Sequence, residues 1–292
     1  MYYLLLGITC SVCNLIFFKY LGKKGIGLAV AVPFSYLVSV MTGAVFFNGA
    51  TPEGMAGFSS WALPAVCHGI LLISGFSLLA LTVRHIGVVE GALASRLAVI
   101  MPVVWAVTVY GEGTGADKFS GVGLAIAALY LITAGSSLKR SCPSGVRPHS
   151  SRLLLPAGLF LASGAHMIYL KWVQAHFLTD GAFHGYILTA FAAALLTGLA
   201  ALALRSDLRP DRIRPLDFTG GAALGLVNYG AVMFPLPVLA QPGWEASVVF
   251  PTISVSVVAV GTVLGRVLFR EALPVAKIMG IILGAGAILL LN

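Results

Sequence analysis

Charged residues are scarce in this chain of 292 residues. Asp, Glu, Lys and Arg make up only 10% of it, whereas they make up about a quarter of soluble globular proteins. Apolar residues make up 59%, and the mean hydropathy is +0.97. This composition excludes a soluble globular protein and predicts an integral membrane protein.

Several chemical motifs are also missing. No GxxxxGK[ST] phosphate loop occurs, so the chain hydrolyses no nucleotide by that route, and no GxSxG element exists for a serine hydrolase. The aspartates fall in predicted loops or at helix ends, which excludes an aspartate-rich metal centre within the membrane: Asp117, Asp180, Asp207, Asp211 and Asp217. We therefore expect a protein that is not an enzyme and that carries no cofactor and no metal.

Cysteine is rare, with four residues. Cys10 and Cys13 lie three positions apart, on one face of a helix, and are consistent with either small apolar packing or a metal or redox pair. Neither His nor a second Cys pair lies nearby in sequence, which favours packing.

What the chain does contain is a series of apolar runs, each close to the roughly 20 residues that span a bilayer core of about 30 Å. They are continuous, without the alternation of a β-barrel, and predict an all-α membrane protein of ten transmembrane helices. The predicted spans are 2–18, 26–47, 58–82, 86–109, 118–137, 153–175, 183–204, 217–239, 245–268 and 273–291.

The chain also contains an internal repeat. Residues 121–132 match residues 280–291, and Glu112 with Glu271 and Lys118 with Lys277 recur at the same offset of 159 residues. Five helices per copy is an odd number, so the second copy enters the membrane from the opposite side. We predict two inverted five-helix repeats, residues 1–137 and 152–292, joined by a polar cytoplasmic linker at 138–151.

Basic residues predict the topology. The net charge of +8 comes from residues spread over many loops rather than gathered on one face, so we expect no nucleic-acid partner. Fifteen basic residues fall in or beside loops after odd-numbered helices and two, Lys118 and Lys171, beside loops after even-numbered ones. The positive-inside rule then puts the odd loops in the cytoplasm and both termini outside, in a cell inner membrane.

Motifs along both halves resemble one transporter family. They are residues 75–82 (GFSLLALT), 87–102 (GVVEGALASRLAVIMP), 110–112 (YGE), 225–229 (GLVNY), 249–251 (VFP) and 268–271 (LFRE). Their order and spacing resemble the drug/metabolite transporter superfamily, EamA type. The resemblance implies a ten-helix bundle whose central cavity is lined by helices one, three, four, six, eight and nine. Many members have cytoplasmic termini, so the orientation predicted above departs from them.

Arg96 is the foremost candidate for binding a substrate. It falls about halfway along the fourth predicted helix, where a cation costs roughly 2.5–3.5 kcal/mol on insertion scales. It must therefore face the interior and find a partner. The partner is either a substrate carboxylate or phosphate, or an internal acid.

Other polar residues fall at positions related by the repeat. Asn14 and His166 are equivalent in helices one and six, and Tyr169 follows His166 by three residues on the same helical face. Helix eight offers a second set, which we add to the predicted substrate site: Asn228 and Tyr229, with Ser74 of helix three equivalent to Tyr229. Internal packing with satisfied hydrogen bonds is the alternative role for Asn14 and His166.

Two acids begin equivalent helices. Glu90 lies near the start of the fourth span and Glu245 starts the ninth, near opposite membrane faces in the predicted topology. Each is either a favourable charge at a helix N-terminus or a proton-coupling residue at one mouth of the pathway.

We expect from these features a secondary transporter that moves a small polar metabolite, an amino acid or related organic acid, by alternating access. The alternatives are a multidrug or lipid-like carrier, for which an acidic rather than basic midplane would be needed, and a non-transporting membrane subunit. The expected partners are a small-molecule substrate and the lipid bilayer, for a monomer or homodimer.

Overall fold

The structure, a computed structural model, describes most of the chain. The described residues are 2–24, 28–46, 58–86, 88–113, 115–134, 151–178, 182–203, 214–270 and 272–291. Residues 138–150 of the predicted linker, Cys142 and Glu271 lie outside these ranges.

Helices make up the regular structure of the described ranges. They are α1 (Tyr2–Lys23), α2 (Leu28–Phe46), α3 (Phe58–His85), α4 (Val88–Leu97), α5 (Ile100–Tyr110), α6 (Ala116–Ala134), α7 (Ser151–Phe177), α8 (Phe183–Ala203), α9 (Pro215–Met233), α10 (Pro235–Ala240), α11 (Ala246–Phe269) and α12 (Val275–Leu291). This confirms the all-α prediction for the part of the chain that is described.

Within the described ranges, eight apolar segments are long enough to cross a membrane: Tyr2–Leu21, Phe58–Leu79, Gly91–Tyr110, Ala116–Thr133, Leu154–Phe177, Phe183–Ala201, Pro215–Ala240 and Ala246–Phe269. Two shorter apolar helices are Val30–Phe46 and Val275–Leu291. By length and composition the chain is a multi-pass membrane protein.

Two of the predicted spans are interrupted. The fourth divides into α4 and α5 at Ala98 and Val99, and the eighth divides into α9 and α10 at Phe234. A proline follows each break, Pro102 in one case and Pro235 in the other. Proline lacks the N–H that continues the helical ladder and clashes with the preceding turn, so hydropathy alone misses these breaks.

The helices form two compact units. The first comprises Met1–Phe76 and Tyr169–Pro242, and the second comprises Ser77–Ile168 and Gly243–Asn292. Each unit therefore combines chain from both halves of the sequence. The division into two inverted repeats remains a prediction.

Glycine brings helices of the first unit close together. A Cβ at Gly221 would lie 2.7 Å from the backbone oxygen of Ala31, and one at Gly225 would clash with the backbone oxygen of Ser35, so α9 lies directly on α2. The Ser39 hydroxyl donates to the carbonyl of Gly225 over 2.8 Å across the same contact. These small residues pack helices within the chain, as their four-residue spacing predicts.

The second unit is built around α6 and α12. A Cβ at Gly280 would lie 2.6 Å from Ile132 Cγ1, and one at Gly121 would lie 2.9 Å from Leu291 Cγ, so the two helices approach each other through glycines at both ends. Gly164 of α7 lies against the Met101 side chain of α5 in the same way.

Candidate functional site

Two predicted site residues meet in the first unit. The Asn14 Nδ2 group of α1 donates to Asn228 Oδ1 of α9 over 3.1 Å. Their other amide atoms, Asn14 Oδ1 and Asn228 Nδ2, are buried and have no hydrogen-bond partner within the described residues. The pair thus leaves one acceptor and one donor unsatisfied, and we call these two residues the amide pair.

Local packing positions the amide pair. Asn14 is one helical turn after Cys10, and Asn228 is two residues before Gly230. A Cβ at Gly230 would lie 2.6 Å from Cys10 Sγ, so glycine lets α1 and α9 approach at this level. Asn228 is only 5% exposed as a result. Cys10 here has the packing role that its sequence context favoured.

Tyr229, next to the amide pair, is already engaged. Its hydroxyl hydrogen-bonds His184 Nδ1 of α8 at 2.8 Å, and its ring lies 6.0 Å from that of Phe191. Tyr229 is 4% exposed. Its ring therefore packs among α2 and α8, while its hydroxyl ties α9 to α8.

Tyr169 and Ser74 belong to the same unit, but their hydroxyls bond backbone. Tyr169 donates to the carbonyl of Pro64 in α3 over 3.1 Å. Ser74 donates to the carbonyl of Ile70 in its own helix over 2.7 Å. Both hydroxyls satisfy internal acceptors in this conformation.

The structure also shows a buried pair that sequence reasoning did not predict as a site. His68 Nδ1 of α3 and the Tyr186 hydroxyl of α8 lie 2.6 Å apart, and both residues are fully buried. An ionisable residue within a membrane segment needs such a partner. In the sequence, His68 is recognisable as an ionisable residue within an apolar span. Its partner Tyr186 lies 118 residues away, and nothing in the sequence links the two.

Arg96 lies in the second unit, where α4 ends. The helix stops at Leu97 and resumes at Ile100, so Arg96 occupies the last turn of α4 rather than the middle of a continuous helix. It is half-buried. Among the residues that the structure describes, its guanidinium has no acidic partner within ion-pair distance. An internal acid was one of the two predicted partners of Arg96, and the described residues offer no acid for that role.

His166 belongs to the second unit as well. It is half-buried on α7, two residues after the glycine that packs against Met101. Asn14, its predicted equivalent, lies in the first unit.

Glu245 is held in an ion pair. It precedes the first residue of α11, and its carboxylate pairs with the ammonium group of Lys118 in α6. The cap of α11 comes from elsewhere: Glu112 Oε1 and Oε2 accept the backbone N–H groups of Ala246 and Ser247, both over 2.9 Å. Glu90 lies in the first turn of α4, and its side chain is outside the described residues. Proton coupling by either acid stays a prediction.

Metal binding finds no support among the described residues, where no group of three or more His, Cys, Asp or Glu side chains could hold an ion.

Comparison with known proteins places the fold but not the activity. No family model matches the chain. A protein of Haemophilus influenzae described as uncharacterized is 24% identical over 296 residues, which cover 99% of this chain and 96% of that protein. A crystal structure of another protein superposes with a TM-score of 0.72 at 13% identity, covering 99% of this chain and 98% of that one. The chain therefore shares an experimentally observed fold over nearly its whole length.

Proposed function

We propose that this protein is a secondary transporter of the EamA type in the drug/metabolite transporter superfamily, and that it moves an amino acid or related organic acid by alternating access. The proposal includes ten transmembrane helices in two inverted repeats. It is supported by eight membrane-length helices, a repeated sequence pattern and a half-satisfied polar pair within the membrane segments.

The amide pair carries the proposal. A buried donor or acceptor without a partner costs about 1–3 kcal/mol, and the amide pair has one of each, the acceptor on α1 and the donor on α9. Membrane segments keep polar groups that are expensive to bury where a substrate or ion meets them. A bound molecule that offers both a donor and an acceptor would recover both costs.

The head group of an α-amino acid has that complementarity. Its ammonium group would donate to Asn14 Oδ1, and its carboxylate would accept from Asn228 Nδ2. A neutral amide pair favours a zwitterion over a strongly anionic substrate.

Arg96 gives the second line of support. A cation in the span Gly91–Tyr110, with no acid near it in the described ranges, is available to an anionic group. It also lies beside the interruption between α4 and α5. Transporters place binding sites at broken helices near the bilayer midplane, because unwound backbone is tolerated there only around a cavity.

Uptake of labelled amino acids into proteoliposomes, with and without an imposed pH gradient, tests the proposal. We expect accumulation by the purified protein and its loss in the double variant Asn14→Leu, Asn228→Leu. Gly123→Ala is the matched control, since a Cβ at Gly123 would meet nothing within 4 Å, and it should transport normally.

The alternatives predict other outcomes. Accumulation of lipophilic cations without amino acids would support a multidrug carrier instead. If the folded protein transports neither amino acids nor lipophilic cations, the result would support a non-transporting membrane subunit. If the pH gradient stimulates uptake by the wild-type protein but not by the double variant Glu90→Gln, Glu245→Gln, these acids couple transport to protons. If the stimulation is unchanged, their role is limited to a favourable charge at the start of a helix.

A further inference from the structure

His68 is an ionisable residue in the middle of a membrane-length helix. The apolar segment Phe58–Leu79 of α3 has 22 residues, and His68 lies midway along it. The side chain is fully buried. Ionisable residues inside membrane segments are costly to insert and commonly mark ion and proton pathways. Histidine is also the side chain whose ordinary pKa, about 6.5, lets it gain and lose a proton near neutral pH.

Glycine places His68 against α8. A Cβ at Gly69 would clash with the carbonyl oxygen of Ala190 and would lie 2.8 Å from the backbone nitrogen of Ala194. The backbones of α3 and α8 therefore meet directly beside His68, as small residues allow between membrane helices. This contact brings the imidazole to the hydroxyl of Tyr186, which lies 2.6 Å from Nδ1.

The hydroxyl of Tyr186 is a suitable partner for both protonation states of His68. A neutral imidazole has one N–H donor and one acceptor nitrogen, whereas the imidazolium has two donors. A tyrosine hydroxyl can donate to an acceptor nitrogen and can accept from an N–H. The bond between Nδ1 and this hydroxyl can therefore persist when the ring gains or loses a proton.

Two tyrosine rings lie against the imidazole. The ring of Tyr186 is 5.5 Å from that of His68 at an angle of 23°, and the ring of Tyr169 from α7 is 5.8 Å from it at 50°. The attraction between a cation and an aromatic face extends to about 6 Å, so each ring offers the imidazolium a favourable contact. The Tyr169 hydroxyl donates to the carbonyl of Pro64 over 3.1 Å, which fixes its ring in place.

The groups around His68 that can titrate are uncharged near neutral pH. Tyr169 faces it from α7 and Tyr186 from α8, and Cys67 precedes it on α3 and lies beside Tyr169. Tyrosine and cysteine ionise at a higher pH than histidine. His68 is therefore the member of this cluster whose charge changes first as the pH falls from alkaline to neutral.

Helix α8 joins His68 to the neighbour of the amide pair. Tyr186 of α8 bonds His68, and two residues earlier His184 bonds the hydroxyl of Tyr229 at 2.8 Å. Tyr229 is adjacent to Asn228 on α9. All of these residues belong to the first unit. One helix thus contacts both the imidazole and the residue next to the proposed substrate site.

We propose that His68 is the proton-binding site that couples substrate movement to a pH gradient. The imidazole takes one proton from water on one side of the membrane, holds it as the imidazolium, and returns it to water on the other side, so the ring is unchanged after each cycle. Full burial in this conformation keeps the proton from exchanging freely, as coupling requires. The proposal rests on the proposed function and assigns coupling to a residue other than Glu90 and Glu245.

Two measurements test the proposal together. Uptake of labelled amino acids into proteoliposomes is followed as a function of pH and of an imposed pH gradient. NMR of isotope-labelled histidines in the purified protein follows the protonation of His68 without any solute. His68→Gln identifies the resonance by difference and removes the group that takes the proton. His176→Gln is the matched control, since His176 is an exposed histidine in the last turn of α7.

We expect the His68 resonance to titrate between about pH 5 and 8, with the same midpoint as the pH dependence of uptake. His68→Gln should lose the response of uptake to a pH gradient, whereas His176→Gln should keep it. Tyr186→Phe keeps the ring and removes the hydroxyl, so both midpoints should move together by about half a pH unit to one unit, the value of one hydrogen bond. This variant carries the test if His68→Gln fails to fold.

Two results would overturn the assignment of His68. One is a His68 resonance that does not titrate in that range, and the other is a response to the pH gradient that survives in His68→Gln as it does in His176→Gln. Titration of His68 without amino-acid uptake would support the proton site and refute the substrate assignment alone. Amino-acid uptake that does not respond to a pH gradient would refute the coupling alone.

Discussion

Arg96 and the amide pair show what single residues contribute. Each places polar atoms in an apolar helix, where insertion is costly unless a partner is found. Sequence reasoning found Arg96, Asn14 and Asn228, because a lone polar residue in an apolar run is conspicuous. It could not predict that Asn14 meets Asn228, since their contact spans 214 residues, or that the hydroxyls of Tyr229 and Tyr169 are used internally.

Arg96→Ala should abolish amino-acid uptake while the protein still folds, because no internal ion pair among the described residues is lost with it. Arg96→Lys keeps the charge but loses the planar fork that holds a carboxylate. We expect it to weaken binding by roughly 10- to 100-fold, the value of a charged hydrogen bond. Equilibrium binding in detergent and circular dichroism measure the two effects. Unfolding of Arg96→Ala would identify a structural cation instead.

Asn228→Asp should invert the preference of the amide pair. The change keeps the size of the side chain but replaces the unpartnered donor with an acceptor, so a substrate carboxylate is repelled. We expect amino-acid affinity to fall at least about tenfold, while the decarboxylated amine loses less. Gln241→Glu makes the same chemical change at an exposed position of the first unit and should bind normally. Equal losses for amino acid and amine would refute this orientation of the head group.

At the scale of helices, hydropathy predicted where apolar segments occur but not how they are divided. The breaks after α4 and α9 depend on prolines inside otherwise apolar runs, and a proline in a membrane helix produces a kink, a break or no interruption according to its neighbours. Pro251 shows the contrast, since it lies within the continuous helix α11. The cap that Glu112 gives to α11 was also beyond prediction, because it joins residues 134 and 135 positions apart.

Gly225→Ala should destabilise the contact between α9 and α2. The added Cβ would meet the backbone of Ser35 and lie 2.8 Å from Val38 Cβ, where neither neighbour can move easily. Overpacking of this kind costs about 1–3 kcal/mol. Gly123→Ala in α6 adds the same atom in open space and should be neutral or stabilising by up to about 1 kcal/mol. Thermal unfolding in detergent compares them, and equal midpoints would contradict the close contact.

At the scale of the molecule, the distribution of basic residues remains the basis for orientation. Both termini are predicted outside, so a cysteine added after Asn292 should react with an impermeant maleimide in intact cells. A cysteine placed in the 138–151 linker should react only after permeabilisation. The reverse pattern would contradict the predicted orientation.

The interleaving of both halves within each compact unit has a consequence for biogenesis. The Ser39 hydroxyl donates to the carbonyl of Gly225, which is 186 residues later in the chain. At 5–20 residues per second, Gly225 is synthesised roughly 10–40 s after Ser39. During that time α2 lies in the bilayer without α9. Membrane helices can insert separately and associate afterwards, so residues 1–137 and 152–292 made as separate polypeptides should assemble when coexpressed. Either fragment alone would keep its interior-facing surfaces unpartnered, and cellular proteases would be expected to remove it.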